Sequence, residues 1–485
     1  MKKTASTVLI FILLFSLFLN QQLTAQNDPD KIVFVGASIT YGALIDHREQ
    51  NSYPAQLQKL LGEGFQVTNL GVSSCTMLRK GDYSYWDRPE YFQALTIQPD
   101  IVFIDLGGND SKLINRDHLN EFVHDCSDMV EKFRELHSKP RVILLLPIVS
   151  FEKDTSGIWD PVLVRSIIPA IQQVAYDLDV EVIDLHSLLV NRPELLHDRI
   201  HPNREGATLT AQKLYKYLVE KTDIHYDAFT KLPTSRKISS YHGFQCADFT
   251  FEGRECKIVK PKHAAIGNPW IWRARFWGHE PQTEIALLER GFHVVYCDVA
   301  EMFGNQQAIT IWNHFYNLMK RAGLSPKGVL EGMSRGATYA LNWAAENPGK
   351  VSCVYIDNPL LDLKTWPAGI KNRNVSKTEF EDFKKDYNLK TEADIASFKG
   401  SPIDKIDKIV KGKYNILILS ADADSALSPE ENALLFEKRI RAKHGNITVI
   451  HKPGFDHHPH SFPNPAPIVD FILDSTGYQI QIPEK

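Results

Sequence analysis

The sequence predicts an α/β protein of two domains, each built on a largely parallel sheet with helices packed on its faces. The first observation is the length of 485 residues, which corresponds to two or three ordinary domains and is too long for one core. The second is an alternation of short β-branched runs with stretches of helical period, which extends from residue 31 to about 221 and resumes after about residue 241. Strands that alternate with helices in this way favour parallel sheets.

Segment 1–25 has the pattern of a secretory signal peptide. Lys2 and Lys3 precede the apolar run 8–19, and Leu23-Thr24-Ala25 ends on a small residue. A transmembrane anchor is the alternative, but the apolar run is shorter than the ~20 residues that span a bilayer. We therefore expect a secreted or periplasmic protein that has no stable membrane span once the signal is removed.

The first domain is predicted to occupy 26–222. Its closing helix, 205–221, places Ala207, Ala211, Leu214 and Leu218 on one face, at the spacing of a helix packed on a sheet. The runs predicted as strands are 32–35, 66–70, 101–106, 142–146 and 181–185.

A polar segment, 223–240, is predicted as the linker, and 241–485 as the second domain. The runs 249–251 and 257–259 flank Glu252-Gly253 and predict a hairpin. A polar, lysine-rich insertion, 362–411, is expected to be helical and to cover a site. The runs predicted as strands after the hairpin are 292–297, 328–331, 351–356, 414–420 and 448–451.

Charge and cysteine content narrow the classes of ligand. A net charge of −4 without a basic block argues against a nucleic-acid partner, so a small or neutral ligand is expected.

The six cysteines lack the paired short spacings of a zinc site, and most are expected to be buried thiols. Cys246 and Cys256, which flank the hairpin, could pair in an oxidising compartment. His279-Glu280 and the run 457–460 do not match a helical zinc motif, so we predict neither a metal nor a cofactor.

Four blocks in the first domain follow predicted strands or precede the last helix, where an open α/β sheet builds its site. They contain Ser38, Gly71, Asn109 and the pair Asp198 and His201. A serine hydroxyl needs a base to take its proton, and its oxyanion needs donors. Asp198 is expected to orient His201, the base for Ser38. The backbone N–H groups of Ser38 and Gly71 and the Asn109 amide are expected as oxyanion donors.

The four blocks and their order resemble the SGNH (GDSL-type) hydrolase family, whose markers would be Ser38, Gly71, Asn109 and His201. This resemblance implies a flavodoxin-like, doubly wound parallel sheet. The sequence departs from the family at Ala37, where an aspartate is frequent. Because the catalytic aspartate of the family is matched by Asp198, the departure does not imply an inactive site.

The second half contains Gly332-Met333-Ser334-Arg335-Gly336 between a predicted strand and helix, the context of a nucleophile elbow. The order serine, acid, histidine resembles α/β-hydrolases and implies Ser334 as nucleophile, Asp424 as acid and His457 as base. Asp422 remains an alternative acid, and His458 and His460 remain alternative bases. The backbone N–H of Arg335 is the expected oxyanion donor, and a second donor is expected around 264–270. The aromatic run 267–273 in this region could line an acyl or sugar pocket.

These resemblances imply a bifunctional serine carboxylic ester hydrolase that removes O-acetyl esters, and at the second site acetyl, methyl or aromatic acyl esters, from a carbohydrate. Proteins that resemble this combination are often bacterial carbohydrate esterases. Two alternatives remain open at this stage. The second domain could be a non-catalytic binding module beside a single esterase site, or it could be a peptidase.

Overall fold

A computed structural model describes residues 28–369 and 376–483 of the chain. The predicted signal peptide, 1–25, lies outside the described residues. The structure confirms the predicted fold class, because the chain forms a parallel five-stranded sheet followed by a large mixed sheet, each with helices on its faces. No helix among the described residues is long and apolar enough to cross a membrane.

The first sheet has the strand order β2-β1-β3-β4-β5, and all of its neighbouring strands are parallel. Its strands are β1 (Asp30–Gly36), β2 (Phe65–Gly71), β3 (Ile101–Asp105), β4 (Arg141–Leu146) and β5 (Glu181–Asp184). This is the doubly wound order of flavodoxin-like sheets, in which the chain reverses direction between β1 and β3. Ser38 and Asn109 follow these two strands and therefore lie at the switch point, where ligands bind in such folds.

Helices cover both faces of the first sheet because its central strands are apolar on both sides. In β1, Ile32 and Phe34 pack into one hydrophobic cluster, while Val33 and Val35 pack into another. The α-helices of eight residues or more in this domain are α1 (Tyr53–Leu61), α2 (Pro89–Ile97), α3 (Phe122–Arg134), α4 (Ile168–Asp177) and α5 (Arg204–Val219).

The remaining strands form a two-stranded ribbon and a nine-stranded sheet. In chain order they are β6 (Thr222–Asp223), β7 (Lys237–Tyr241), β8 (Phe244–Phe251), β9 (Arg254–Val259), β10 (Ala264–Ala265), β11 (Trp270–Arg273), β12 (His293–Cys297), β13 (Gly328–Met333), β14 (Val351–Asp357), β15 (Asn415–Ala421) and β16 (Ile447–Lys452). β6 pairs with β10 in the ribbon. The large sheet has the order β16-β15-β14-β13-β11-β12-β9-β8-β7, antiparallel from β12 to β7 and parallel elsewhere.

The helices of eight residues or more in the second domain are α6 (Gln282–Glu289), α7 (Gln306–Ala322), α8 (Gly336–Glu346), α9 (Lys377–Asp386), α10 (Ala433–Ala442) and α11 (Ala466–Thr476).

The hairpin predicted at Glu252-Gly253 joins β8 and β9. Both turn residues have positive φ, 50° and 77°, as a type I′ turn requires. The segment predicted as linker, 223–240, contains the short helix Ala228–Lys231 and the first residues of β7.

Four tryptophans of the second domain belong to its buried core. Trp270, Trp272, Trp312 and Trp343 are all buried, and the rings of Trp272 and Trp312 have centroids 4.4 Å apart. The expectation that 267–273 lines an acyl or sugar pocket is therefore wrong for its tryptophans. The physical reason is that Trp270–Arg273 is a central strand of the sheet, with neighbours on both sides.

The pairing suggested for Cys246 and Cys256 is also wrong. All six cysteines are free thiols, and Cys256 lies opposite Cys297 of β12. In the β8–β9 hairpin, Cys246 is registered with Val259 and Cys256 with Phe249, so the sheet register holds the two thiols apart.

The two domains share a packed interface. One hydrophobic cluster contains Val174 and Val182 of the first domain together with Tyr241 and Leu287 of the second. Glu289, at the end of α6, accepts the backbone N–H of Asp184 at 2.5 Å and pairs with Lys213 at 2.8 Å. Because apolar and charged contacts cross it together, this interface fixes one domain against the other.

Two candidate active sites

Ser38, His201 and Asp198 form a continuous hydrogen-bonded chain at the edge of the first sheet. Ser38 Oγ lies 2.8 Å from His201 Nε2, and His201 Nδ1 lies 2.7 Å from Asp198 Oδ2. The carboxylate can hold the ring so that Nε2 accepts the serine proton. The residues predicted as nucleophile, base and acid are therefore brought together in that order.

The loop before α5 carries both the acid and the base. Asp198 Oδ1 accepts the backbone N–H groups of Ile200 at 3.1 Å and His201 at 2.8 Å. Burial opposes ionisation of Asp198, but these hydrogen bonds and the His201 side chain outweigh it, so the pKa of Asp198 lies below its ordinary value. Asn203 then caps α5 by accepting the N–H of Gly206.

Asn109 is buried beside this triad. One of its Nδ2 hydrogens is donated to the carbonyl of Cys75 at 3.0 Å, and Asn115 Nδ2 donates to the Asn109 carbonyl at 2.9 Å. The first bond fixes the side-chain amide, and the second holds the backbone carbonyl of Asn109. The second amide hydrogen is left for an oxyanion.

Gly71 differs from the prediction. Its N–H donates to Asn69 Oδ1 at 2.9 Å and so has a partner in this structure, because the side chain two residues earlier folds back on the end of β2. Residue 71 has no room for a side chain, because a Cβ there would lie 2.2 Å from the backbone nitrogen of Tyr41. Tyr41 belongs to the short helix that begins at Ser38. The Ser38 helix, Ser38–Tyr41, therefore packs closely on β2.

Two buried carboxylates that the sequence analysis missed support the first site. Asp110 accepts the N–H groups of Met77 and Leu78 at 3.0 and 2.8 Å, and burial raises its pKa to about 6. Asp105 accepts the hydroxyls of Thr40 and Tyr53 at 2.7 and 3.1 Å. The feature of the sequence that could have identified these two residues is their position on either side of Gly107-Gly108-Asn109.

Ser334, His457 and Asp424 form a second chain of the same kind. Ser334 Oγ lies 3.0 Å from His457 Nε2, and His457 Nδ1 lies 2.8 Å from Asp424 Oδ2. Asp424 Oδ1 accepts the N–H groups of Ala426 at 3.0 Å and Leu427 at 2.7 Å. The acid is thus anchored by its own loop, as Asp198 is in the first site.

Ser334 lies in a tight turn between β13 and α8. Its φ is 49°, a left-handed conformation that is costly for a residue with a side chain. A Cβ on Gly332 would lie 2.6 Å from the backbone nitrogen of Ala337, so glycine is required there. The turn is held by the N–H of Ser334, which donates to the Asp357 carbonyl at 2.8 Å.

The alternative acid and bases have other partners. Asp422 pairs with His451 at 2.8 Å, on the exposed side of β15 and β16. His460 is buried, with Nδ1 3.4 Å from Asp357. His458 is exposed beside His457. None of the three is hydrogen-bonded to Ser334.

The loop that faces the second nucleophile is not the one predicted. Ala264–Ala265 pairs with β6, and Trp270 begins β11. It is residues 274–275, after β11, that approach the start of α8. A Cβ on Gly336 would lie 3.6 Å from both Ala274 Cβ and Arg275 Cβ. The prediction failed because residues 264–269 precede β11 and so lie at its amino end, whereas β11 is parallel to β13 and only the residues after β11 lie at the edge where β13 leads to Ser334.

A buried ionic group holds this loop. Arg273 donates to Glu284 at 2.8 Å and to Glu331 at 2.9 Å, and all three side chains are fully buried. The same guanidinium donates to the carbonyls of Arg275, Phe276 and His279. Burial and the neighbouring Glu284 raise the pKa of Glu331 well above its ordinary value. The loop after β11 is thereby tied to β13, the strand that ends at the nucleophile.

The predicted insertion touches the second site. Its helix α9 carries Glu379, which forms an ion pair with Arg335, the residue after Ser334. The Arg335 guanidinium also lies 5.0 Å from the ring centre of Trp366. Arg335 immediately precedes α8, so its backbone N–H is at the positive end of that helix, where an oxyanion is stabilised.

Residues 34–209 match the model of the GDSL-like Lipase/Acylhydrolase family. An acetylxylan esterase of Xylanibacter ruminicola is 38% identical over 205 residues, which are 39% of this chain and 42% of that protein. The chain therefore spans less than half of the length of this curated relative.

Among solved structures, a carbohydrate acetylesterase family member from Sinorhizobium meliloti is similar over 39% of this chain and 97% of its own, with 20% identity and a TM-score of 0.33. An S-formylglutathione hydrolase from Agrobacterium tumefaciens is similar over 50% of this chain and 96% of its own, with 15% identity and a TM-score of 0.37. The family match, which supports a carboxylic ester hydrolase, covers the first domain and contains Ser38, Gly71, Asn109, Asp198 and His201.

Proposed function

We propose that this chain is an exported serine carboxylic ester hydrolase with two active sites, the first of which removes O-acetyl groups from a carbohydrate. The observation that carries the proposal is the hydrogen-bonded chain Ser38–His201–Asp198 inside the segment that matches the GDSL-like family model. The acetyl group and the carbohydrate are inferred from the relative named acetylxylan esterase.

The geometry supports an acyl-enzyme mechanism at the first site. His201 takes the proton of Ser38 as Ser38 Oγ attacks the ester carbonyl, and Asp198 stabilises the imidazolium that forms. The proposed donors to the oxyanion are the amide of Asn109 and the N–H of Ser38. His201 returns this proton to the departing sugar alcohol, which leaves an acetyl group on Ser38. The neutral His201 then activates a water, which releases acetate and restores the Ser38 hydroxyl.

The second domain is proposed as an α/β-hydrolase with the same chemistry. Ser334 sits on a strained turn between a strand and a helix, and the order Ser334, Asp424, His457 is that of the α/β-hydrolase triad. The proposed substrate of this site is an acetyl, methyl or aromatic acyl ester. A complete triad at hydrogen-bonding distance favours this activity over a non-catalytic binding module.

Two esterases on one chain fit a carbohydrate that carries more than one ester. The close packing of the domains keeps both sites on one particle, and the proposed signal peptide at 1–25 delivers that particle to the periplasm or beyond. No cofactor or metal is part of either proposed reaction.

The test compares the wild type, Ser38→Ala, Ser334→Ala and the double variant. Released acetate, methanol and phenolic acids are measured on acetylated and otherwise esterified polysaccharides. We expect each single variant to lose a different product and the double variant to lose all of them. If Ser334→Ala equals the wild type on every substrate, the second domain is not an esterase on them. If Ser334 is instead required to cleave an acyl-proline amide, the second domain is a peptidase.

A further inference from the structure

Three imidazoles crowd the second site. One ring nitrogen from each of His457, His458 and His460 lies within 4.8 Å of those of the other two. The ring centroids are 4.8 to 5.0 Å apart. Within 28–369 and 376–483, no other group of three histidine, cysteine or acidic side chains brings its ligand atoms together in this way. These three residues are called the histidine cluster below.

The mechanism uses only one member of the cluster. His457 is the base for Ser334, whereas His458 and His460 have no step assigned to them. Neutral imidazoles are the common ligands of Zn²⁺ and related transition metals. Three imidazoles close together beside Ser334 could therefore act as ligands of one metal ion.

Two of the three rings have a carboxylate near Nδ1, as metal-binding histidines commonly do. Nδ1 of His457 lies 2.8 Å from Asp424, and Nδ1 of His460 lies 3.4 Å from Asp357. A carboxylate at Nδ1 fixes the tautomer and leaves Nε2 with its lone pair, the arrangement that supports histidine ligands. Asp357 is itself held by Lys452 at 3.0 Å, so this support is rigid.

The ring of His458 can make the movement that is needed for all three nitrogens to reach one metal ion. Zinc–nitrogen bonds of about 2.0–2.1 Å bring ligand nitrogens closer together than they lie here. His458 is exposed, so its ring can rotate toward the other two and solvent metal can reach it. The fourth position is left for water.

We propose that the histidine cluster binds Zn²⁺ or a similar divalent transition-metal ion and that the bound ion switches off the second site. Nε2 of His457 now lies 3.0 Å from Ser334 Oγ. A metal on this lone pair leaves no acceptor for the serine proton, so Ser334 stays protonated. The inhibition rests on the proposed activity of the second domain, whereas the binding of the ion does not.

The two sites on the chain provide the control. In the full-length protein, the Ser38→Ala variant retains only the activity of the second site, and the Ser334→Ala variant retains only that of the first. Initial rates on a simple aryl acetate are measured against Zn²⁺, and EDTA is then added. We expect Zn²⁺ to lower the Ser38→Ala rate at least about tenfold, reversibly, and to leave the Ser334→Ala rate unchanged.

Variants of the cluster test the assignment of the ligands. In the Ser38→Ala background, His458→Gln is expected to raise the half-inhibiting Zn²⁺ concentration at least about tenfold. The inhibition of each protein is measured relative to its own rate without Zn²⁺. His444→Gln, which changes an exposed histidine elsewhere, is the matched control and is expected to leave that concentration unchanged.

Binding is measured separately from activity by the visible absorption of Co²⁺ added to the Ser38→Ala/Ser334→Ala double variant. Tetrahedral bands that disappear with His458→Gln support the site. Absence of these bands, or an active Ser38→Ala enzyme that Zn²⁺ does not slow, overturns the proposal. If the bands appear but Ser38→Ala hydrolyses no ester, the metal site stands and the proposed activity of the second domain fails.

Discussion

Arg335 and Glu379 form an ion pair that joins the residue after Ser334 to helix α9 of the insertion. Both side chains are partly buried, with 18% and 29% of their surfaces exposed. Burial, and then the neighbouring Arg275, lower the pKa of Arg335, and Glu379 opposes this effect. The insertion is therefore fixed to the site through the residue whose N–H is the proposed oxyanion donor.

We expect Glu379→Gln to lower kcat of the second site, by up to about tenfold, because Arg335 loses the charge that positions it. The first site should be unaffected. Glu381→Gln changes a carboxylate on the same helix that pairs with Lys384 and serves as control. Steady-state kinetics in the Ser38→Ala background measure the effect, and equal rates for the two variants would contradict a positioning role for Glu379.

Asp198→Asn is expected to reduce acetate release at the first site by about 10³–10⁴-fold, since the amide does not hold His201 in the required tautomer. Stability should change little, because the oxygen of the new amide can still accept the loop N–H groups. Asp154→Asn is the control. Hydrogen bonds from Ser156 lower the pKa of Asp154, as loop hydrogen bonds lower that of Asp198, but Asp154 is exposed and belongs to no triad. Full activity in Asp198→Asn would remove Asp198 from the triad.

Glu181 connects the domains and should give stability a pH dependence. It is bonded to Arg141 of the first domain and to His263 of the second at 3.2 Å. Burial opposes its ionisation, but the hydrogen bonds from Arg141 and His263 outweigh it and lower the pKa of Glu181 from 4.5 to about 2. A depressed pKa stabilises the fold above the unfolded value, and this stabilisation is lost as the pH falls from about 4.5 to about 2.

Glu181→Gln should therefore lower the free energy of unfolding at neutral pH by about 3 kcal/mol and flatten its pH dependence within that window. Urea unfolding followed by tryptophan fluorescence measures both quantities. Glu194→Gln removes an exposed partner of Arg192 and is expected to leave stability nearly unchanged. An unaltered pH profile in Glu181→Gln would show that the carboxylate is not ionised against its partners.

Arg273→Met should lower the free energy of unfolding by about 3–5 kcal/mol, because it removes the buried cation that pairs with Glu284 and the donor that bonds to Glu331. Glu331→Gln is the matched comparison. The pKa of Glu331 is raised well above its ordinary value, so a neutral amide resembles its native state and should cost about 1 kcal/mol. Thermal unfolding distinguishes the two, and comparable losses would mean that Glu331 is ionised in the folded protein.

The first site was predictable because its parts are local to strand ends. Ser38 and Asn109 each follow an apolar run, and Asp198 and His201 are three residues apart on one loop. The engagement of Gly71 with Asn69 was not predictable, since which atom accepts an N–H depends on a side-chain rotamer. In the second domain, Trp270–Arg273 was misassigned because a short buried strand and an aromatic loop have the same composition.

The sequence by itself determined the α/β class, most strands of the two large sheets, and the order of the candidate nucleophile, acid and base in each half, because these depend on periodicity and on short motifs. Tertiary structure decided the choices between neighbours. It placed Asp424 rather than Asp422 beside His457, buried His460 against Asp357, and brought residues 274–275 to the start of α8, two residues after Ser334. These outcomes depend on strand order and packing between segments far apart in the chain, and no local pattern encodes a distance between them.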